Sequence, residues 1–153
     1  TMSKQSITEM VAGLAATVDS TTVTVWEPDE FRRTADSADT PIRIILPSTE
    51  GDVHTFGPMG TGRLSRMEWV IKDLLLYAPV EEGLGWYDVA YDLDNYIDSY
   101  ATALTAANHN LTTGFCTIPA EVESVTFQTG VHTFSARSYY GVLATLRIYE
   151  FIA

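Results

Sequence analysis

One cysteine, Cys116, stands among 153 residues, so no disulfide can close within the chain and a reducing compartment is the expectation. Basic residues are scarce as well. Nine Lys and Arg against twenty Asp and Glu leave a net charge of −11, which repels phosphate backbones and argues against a conventional nucleic-acid binder. No apolar run approaches the roughly 20 residues of a membrane span, and no basic-then-apolar leader opens the sequence. Neither a membrane nor a secreted setting is expected.

The elements of catalysis are thin. His54, His109 and His132 are the three histidines, and none lies three or four residues from another histidine or from the cysteine, the spacing that helical metal sites use. Each reads as a structural or solvent-exposed residue, with a general-base role as the minor alternative. Gly57, Gly60 and Gly62 resemble a phosphate loop only superficially, because Thr61-Gly62-Arg63 lacks the lysine and hydroxyl pair; a flexible connection is the better reading. Cys116 follows Phe115 with no cation nearby, which marks a small packing residue rather than an activated thiol. No serine sits in a nucleophile elbow. No enzyme, cofactor or metal is expected.

What is present describes a folded domain. The chain is 46% hydrophobic, 11% aromatic and 19% charged, which excludes general disorder, and its length suits one domain over residues 1–153. Charge is uneven along it: −4 over residues 1–50, −6 over 51–100, and −1 over 101–153. The closing third is the low-charge part.

Ile7, Val11, Leu14 and Val18 recur at helical spacing after Ser6, a short N-terminal helix weakened by Gly13. The β-branched run Thr21 to Trp26 reads as a strand. Residues 28–40, "PDEFRRTADSADT", are polar apart from Phe31 and read as a long mobile loop. Ile42 to Leu46 forms the next strand, and Asp52 to Phe56 a short partner strand. The stretch "LSRMEWVIKDLLLYA" is ambiguous: a helix gathers Leu64, Met67, Val70, Ile71, Leu74, Leu75 and Ala78 on one face, whereas a strand leaves Asp73 intruding among apolar neighbours. Periodicity alone leans to the helix.

Residues 86–106 predict a six-turn amphipathic helix with Trp86, Val89, Ala90, Leu93, Ile97, Tyr100, Ala101 and Leu104 inward. Asp88/Asp92 and Asp94/Asp98 are i, i+4 pairs, but carboxylate metal sites on helices also use histidine and none is here. They read as a solvated acidic face, with Asp88 favourably placed at the helix start. Val122 to Thr129 reads as a strand, "GVHTFSARS" as a turn or loop, and Tyr139 to Ile152 as a closing strand. One helix face against one sheet face predicts a two-layer α+β fold: a mainly antiparallel, mixed sheet packed on one long helix plus the short N-terminal helix.

In the closing strand, Val142, Ala144, Leu146 and Ile148 alternate with Leu143, Thr145, Arg147, Tyr149 and Phe151. The first set suits a face against the helix. The second is a mixed surface suited to a subunit contact, with both faces filling the core as the alternative. Tyr139 and Tyr140 are candidate anchors of that contact.

The order of elements, with "GRLSRMEWVIKDLLLY" and the closing "YYGVLATLRIYEF", resembles the tail terminator proteins of long-tailed bacteriophages over most of the chain. The resemblance implies that residues 64–77 form a strand. It also implies a ring, usually of six subunits, that caps the finished tail tube and joins it to the head. Its partners would be its own copies, tail-tube proteins and head-connector proteins. The chain would be made in the host cytoplasm and reside in the virion, at the tail or neck. An acidic lumen would let DNA pass without sticking. The 28–40 loop, with Arg32 and Arg33, is a place for contacts with the next ring. The family offers no motif of functional residues to carry over. Other neck and head–tail joining proteins share similar folds and are the near alternative. A small-ligand-binding α+β domain, with Trp26, Trp69 and Trp86 lining a pocket, is a further one, although tryptophans in a domain this size are more often core.

Overall fold

The computed structural model describes residues 11–14, 16–18, 21–26, 40–46, 53–58, 65–80, 85–106, 120–134 and 136–152. In chain order the elements are β1 (Thr17–Val18), β2 (Thr21–Thr22), β3 (Thr24–Trp26), β4 (Ile42–Ile45), β5 (Thr55–Pro58), β6 (Ser65–Pro79), α1 (Trp86–Ala106), β7 (Ala120–Phe134) and β8 (Arg137–Ile152). β1 and β2 form a small antiparallel pair. The other strands form one six-stranded mixed sheet in the order β3-β4-β6-β8-β7, with β5 also paired to β6. Among the described strands of that sheet, only β3 and β4 run parallel. The fold class is α+β.

β6 corrects the helical leaning of its periodicity. It is central, flanked by β4 and β5 on one side and by β8 on the other, and its upper half is buried on both faces. Ile71, Asp73 and Leu75 point to the helix side, while Leu74 and Leu76 point to the other. A strand buried on both faces reads as a continuous apolar run, which sequence periodicity cannot separate from a buried helix. The intruding Asp73 is a core residue with a partner.

Two apolar clusters sandwich the sheet. On the helix side, Val89, Leu93, Tyr96, Tyr100 and Leu104 of α1 pack against Ile45, Ile71, Leu75, Val142, Ala144, Leu146 and Ile148. Tyr96 therefore belongs to the inward stripe, whereas Trp86 and Ala101 are exposed. On the opposite face Trp26, Ile42, Ile44, Leu74, Leu76, Phe134 and Tyr139 form a second cluster. Gly85 begins α1: its N–H donates to Asp88 Oδ2 at 2.7 Å, half of a capping box that satisfies an orphan donor. Asp92 is half-buried and accepts from the Tyr77 hydroxyl at 2.7 Å, so it is not part of a solvated face. Thr17 ties β1 to the helix through its N–H to Ser99 Oγ at 2.8 Å.

The β7–β8 hairpin is longer than the sequence suggests. Gly130 to Phe134, expected as loop, continues β7, which stays paired to β8 as far as Phe134 opposite Arg137. Gly130 and Gly141 face each other across the ladder. A β-carbon on Gly141 would run into the Leu75 carbonyl oxygen, so this close backbone approach requires glycine. The register of β6 against β8 shifts beside it, between Leu76 and Ala78, and the residue so inserted is Tyr77.

Of the expected N-terminal helix, Val11 and Ala12 are helical; its residues up to 10 lie outside the described residues. So do residues 28–39 of the expected loop, including Arg32 and Arg33, and His109 and Cys116. Gly57, expected in a flexible connection, lies in β5. No described helix is long and apolar enough to cross a membrane.

Candidate functional site: the open half of the sheet

Side chains on the sheet face away from α1 divide into two regions. Near Leu74, Leu76 and Tyr139 they are core. Toward the start of β6 and the end of β8, Arg66 and Arg147 are exposed, and Glu68, Val70 and Tyr149 are half-buried. The register sets Glu68 opposite Tyr149 and Val70 opposite Arg147. Arg147 Nη1 thus lies 2.7 Å from Glu68 Oε1, an ion pair with its arginine 56% exposed, which contributes little to stability in water. The Arg66 guanidinium lies 4.1 Å from the Tyr149 ring centroid, a cation–π contact. Glu123, the residue inserted where β7 slips against β8, hydrogen bonds to the Tyr149 hydroxyl, and this raises the phenol above its ordinary pKa.

The predicted interface residues separate accordingly. Arg147 and Tyr149 share this open surface. Tyr139 and Tyr140 do not: alternation along β8 sends them to opposite faces, and both are covered. Tyr139 is fully buried in the second cluster, with the Arg137 guanidinium 5.9 Å from its ring centroid. Tyr140 is 7% exposed on the helix side, its ring tilted against Trp86 at 6.1 Å. They anchor the fold rather than a free surface. Sequence reading missed Arg66, Glu68 and Glu123, whose roles depend on which strand lies beside β8.

It also missed the polar centre of the core. Arg43 on β4 and Asp73 on β6 are both 0% exposed. Arg43 Nε donates to Asp73 Oδ1 at 3.3 Å and Oδ2 at 3.2 Å, Nη1 to the Leu14 carbonyl at 2.7 Å, and Nη2 to the Val11 carbonyl at 3.2 Å. Tyr100 adds a hydroxyl donor to Asp73 Oδ2 at 2.9 Å. Burial opposes the guanidinium charge, but attraction to Asp73 and the bonds to it outweigh that and raise the Arg43 pKa above its ordinary value. Burial, with Asp73 second, pushes the Tyr96 and Tyr100 phenols up. The signal was available: one charge inside each of "IRIIL" and "VIKDLLL", although only the fold pairs them.

The other candidates are dispersed. His54 lies against Trp69 with ring centroids 5.2 Å apart, and its Nδ1 accepts from the Val70 N–H at 3.4 Å. His132 Nε2 donates to the Gln128 carbonyl at 3.1 Å. Trp26 lies in the second cluster, Trp69 beside the first, and Trp86 on the helix start. A groove of about 240 Å³ between α1 and β7, lined by Leu104, Val122, Val125 and Phe127 among others, contains none of them. Among the described residues no group of three His, Cys, Asp or Glu stands close enough to hold a metal ion.

Fold and surface together define a two-layer α+β protein with a long closing hairpin, one sheet face under a helix and the other half open. No protein-family model matches the chain, and no curated protein matches it.

Proposed function

We propose that this chain is a structural protein of a long-tailed bacteriophage virion, of tail terminator type, assembling as a ring of six that caps the tail tube and joins it to the head. The observation that carries the reading is the open half of the sheet. Arg66, Glu68, Arg147 and Tyr149 form an aromatic and charged surface there, of the composition that subunit contacts favour. The net charge of −11 supports a ring through which DNA passes without sticking. Its partners are then its own copies, tail-tube protein and a head connector.

The test is to mix the purified chain with tail tubes that lack a terminator and image them by negative stain. A ring at one end of the tubes is the expected result. Tubes that stay bare, from a genome whose neighbouring genes encode no portal, connector or tube protein, overturn the reading. Rings that bind a connector and leave the tubes bare favour the neighbouring neck position instead.

A further inference from the structure

β7 is an outer strand of the six-stranded sheet: β8 lies on one side of it, and among the described residues no strand lies on the other. It is also long, 15 residues from Ala120 to Phe134. In an antiparallel ladder alternate residues turn their N–H and C=O groups away from the partner strand, so β7 presents a row of backbone donors and acceptors. Outer strands usually carry a lysine, a proline or an inward charge that deters pairing. From Ser124 onward β7 has none of these. Its register against β8 is unbroken from Ser124 to Thr129, between the shift at Glu123 and the irregular Gly130.

The groove between α1 and β7 runs beside this same edge. Ala101 and Leu104 form one wall, and Val122, Val125 and Phe127 the other. These β7 side chains are on the helix side because they stand opposite Ile148, Leu146 and Ala144. Asp94 precedes Ala101 by two turns on the same flank of α1, and Asp98 lies between them; both aspartates are exposed. Neither α1 nor β7 contains a lysine or arginine. Arg147, opposite Ser124 on β8, points to the other face and is paired with Glu68.

We propose that the β7 edge and this groove together bind an extended, basic segment of another protein as an added strand. Its backbone pairs with β7 between Ser124 and Thr129. Every second side chain then falls on the helix side, where the groove takes small apolar residues, and flanking lysines or arginines meet Asp94 and Asp98. An extended backbone matches the spacing of donors and acceptors along a strand edge, and a pocket for alternate side chains beside the edge gives such binding its specificity. The positive sign of the occupant follows from the acids on α1 and the lack of any base on either wall. A second copy is the poorer occupant, since its own long edge brings no lysine or arginine to them. Peptide capture at this edge goes beyond the tail terminator reading and does not rest on it.

The test selects a displayed library of short random peptides on the native chain and remakes the best binder by synthesis. Enriched sequences should alternate apolar with polar residues and carry net positive charge. The bound peptide should slow hydrogen exchange between Ser124 and Thr129 and leave β3, at the opposite end of the sheet order, unchanged. N-methylation of alternate peptide residues should weaken binding by on the order of tenfold or more in one phase and be tolerated in the other. Asp94→Lys/Asp98→Lys and Ala101→Trp alter exposed positions, so the circular dichroism and melting of each should match the native chain. Each should bind the peptide on the order of tenfold more weakly. A selection that enriches no peptide, or acidic ones, overturns the proposal. So do folded variants that bind as tightly as the native chain, and a binder that protects another segment or ignores the phase of N-methylation. Protection of every amide from Ser124 to Thr129 in the free chain would show the edge already filled. Dependence of that protection on protein concentration would mark a second copy, and independence a segment of the chain itself; either overturns the proposal.

Discussion

Arg43 and Asp73 form a wholly buried ion pair, with Nη2 2.5 Å from Oδ2, between two adjacent strands of the central sheet. Their positions are diagonal in the β4–β6 ladder, where Arg43 faces Leu75 and Ile45 faces Asp73. The pair also holds the chain before β1, because the same guanidinium binds the carbonyls of Val11 and Leu14.

Removing one partner leaves a buried charge alone. Arg43→Met is expected to cost about 3–5 kcal/mol in urea unfolding. The double variant Arg43→Met/Asp73→Leu should recover part of that, since neither charge remains unpaired. Recovery stays incomplete because the two carbonyls and the Tyr100 hydroxyl still lack their partners. A single-variant loss under about 1 kcal/mol would show that the pair does not organise the core.

Tyr96 and Tyr100 differ in one respect that mutation can read. The Tyr100 hydroxyl donates to Asp73, whereas the Tyr96 hydroxyl is buried without a hydrogen-bond partner. Tyr100→Phe should therefore destabilise by about 1.5–3 kcal/mol, and Tyr96→Phe should be neutral or stabilising by about 1 kcal/mol. Equal losses at both sites would contradict the assigned geometry.

Alkaline pH acts on the same two phenols. Both have folded-state pKa values raised above the ordinary 10.0, first by burial and then by Asp73. Their contribution to stability is complete below about pH 10 and falls as pH rises above it, because the unfolded chain releases protons that the folded chain retains. Phenolate absorbance should place the ionisation of Tyr96 and Tyr100 at the pH where the fold is lost, so that Tyr96→Phe and Tyr100→Phe each remove one phenol from that step. A step that neither substitution changes would refute this.

Gly141→Ala places a methyl group against the backbone oxygen of Leu75, which cannot swing aside as a side-chain tip would. A loss at or above the roughly 1–3 kcal/mol of an overpacked core is expected in thermal or urea unfolding.

Ala136 lies in the turn just before β8 at φ 64°, the left-handed region where a β-carbon costs roughly 1–2 kcal/mol. Ala136→Gly should relieve it and raise the melting temperature by about 2–4 °C in a chain of this size. A lower melting temperature would mean that the added freedom of glycine in the unfolded chain outweighs the relief.

Much of the scaffold is written in local pattern. α1 was legible to the residue because one face meets water and the other meets the sheet, which imposes a helical period. The alternation of Val142, Ala144, Leu146 and Ile148 was legible for the same reason, and all four are fully buried. β6 was not, since burial on both sides erases the alternation that marks a strand. The last part of β7 was hidden by Gly130, whose φ of 149° serves an irregular strand rather than a turn.

By itself the sequence determined the composition of charge, the absence of an internal disulfide, the long helix and the faces of the closing strand, all properties of residues close together in the chain. Tertiary structure decided the rest. It chose strand over helix for residues 65–79, joined Arg43 to Asp73 across thirty positions, buried Tyr139 and Tyr140, and left Arg147 and Tyr149 at the surface. Each of those outcomes depends on which distant segment lies alongside, and local periodicity carries no record of that neighbour.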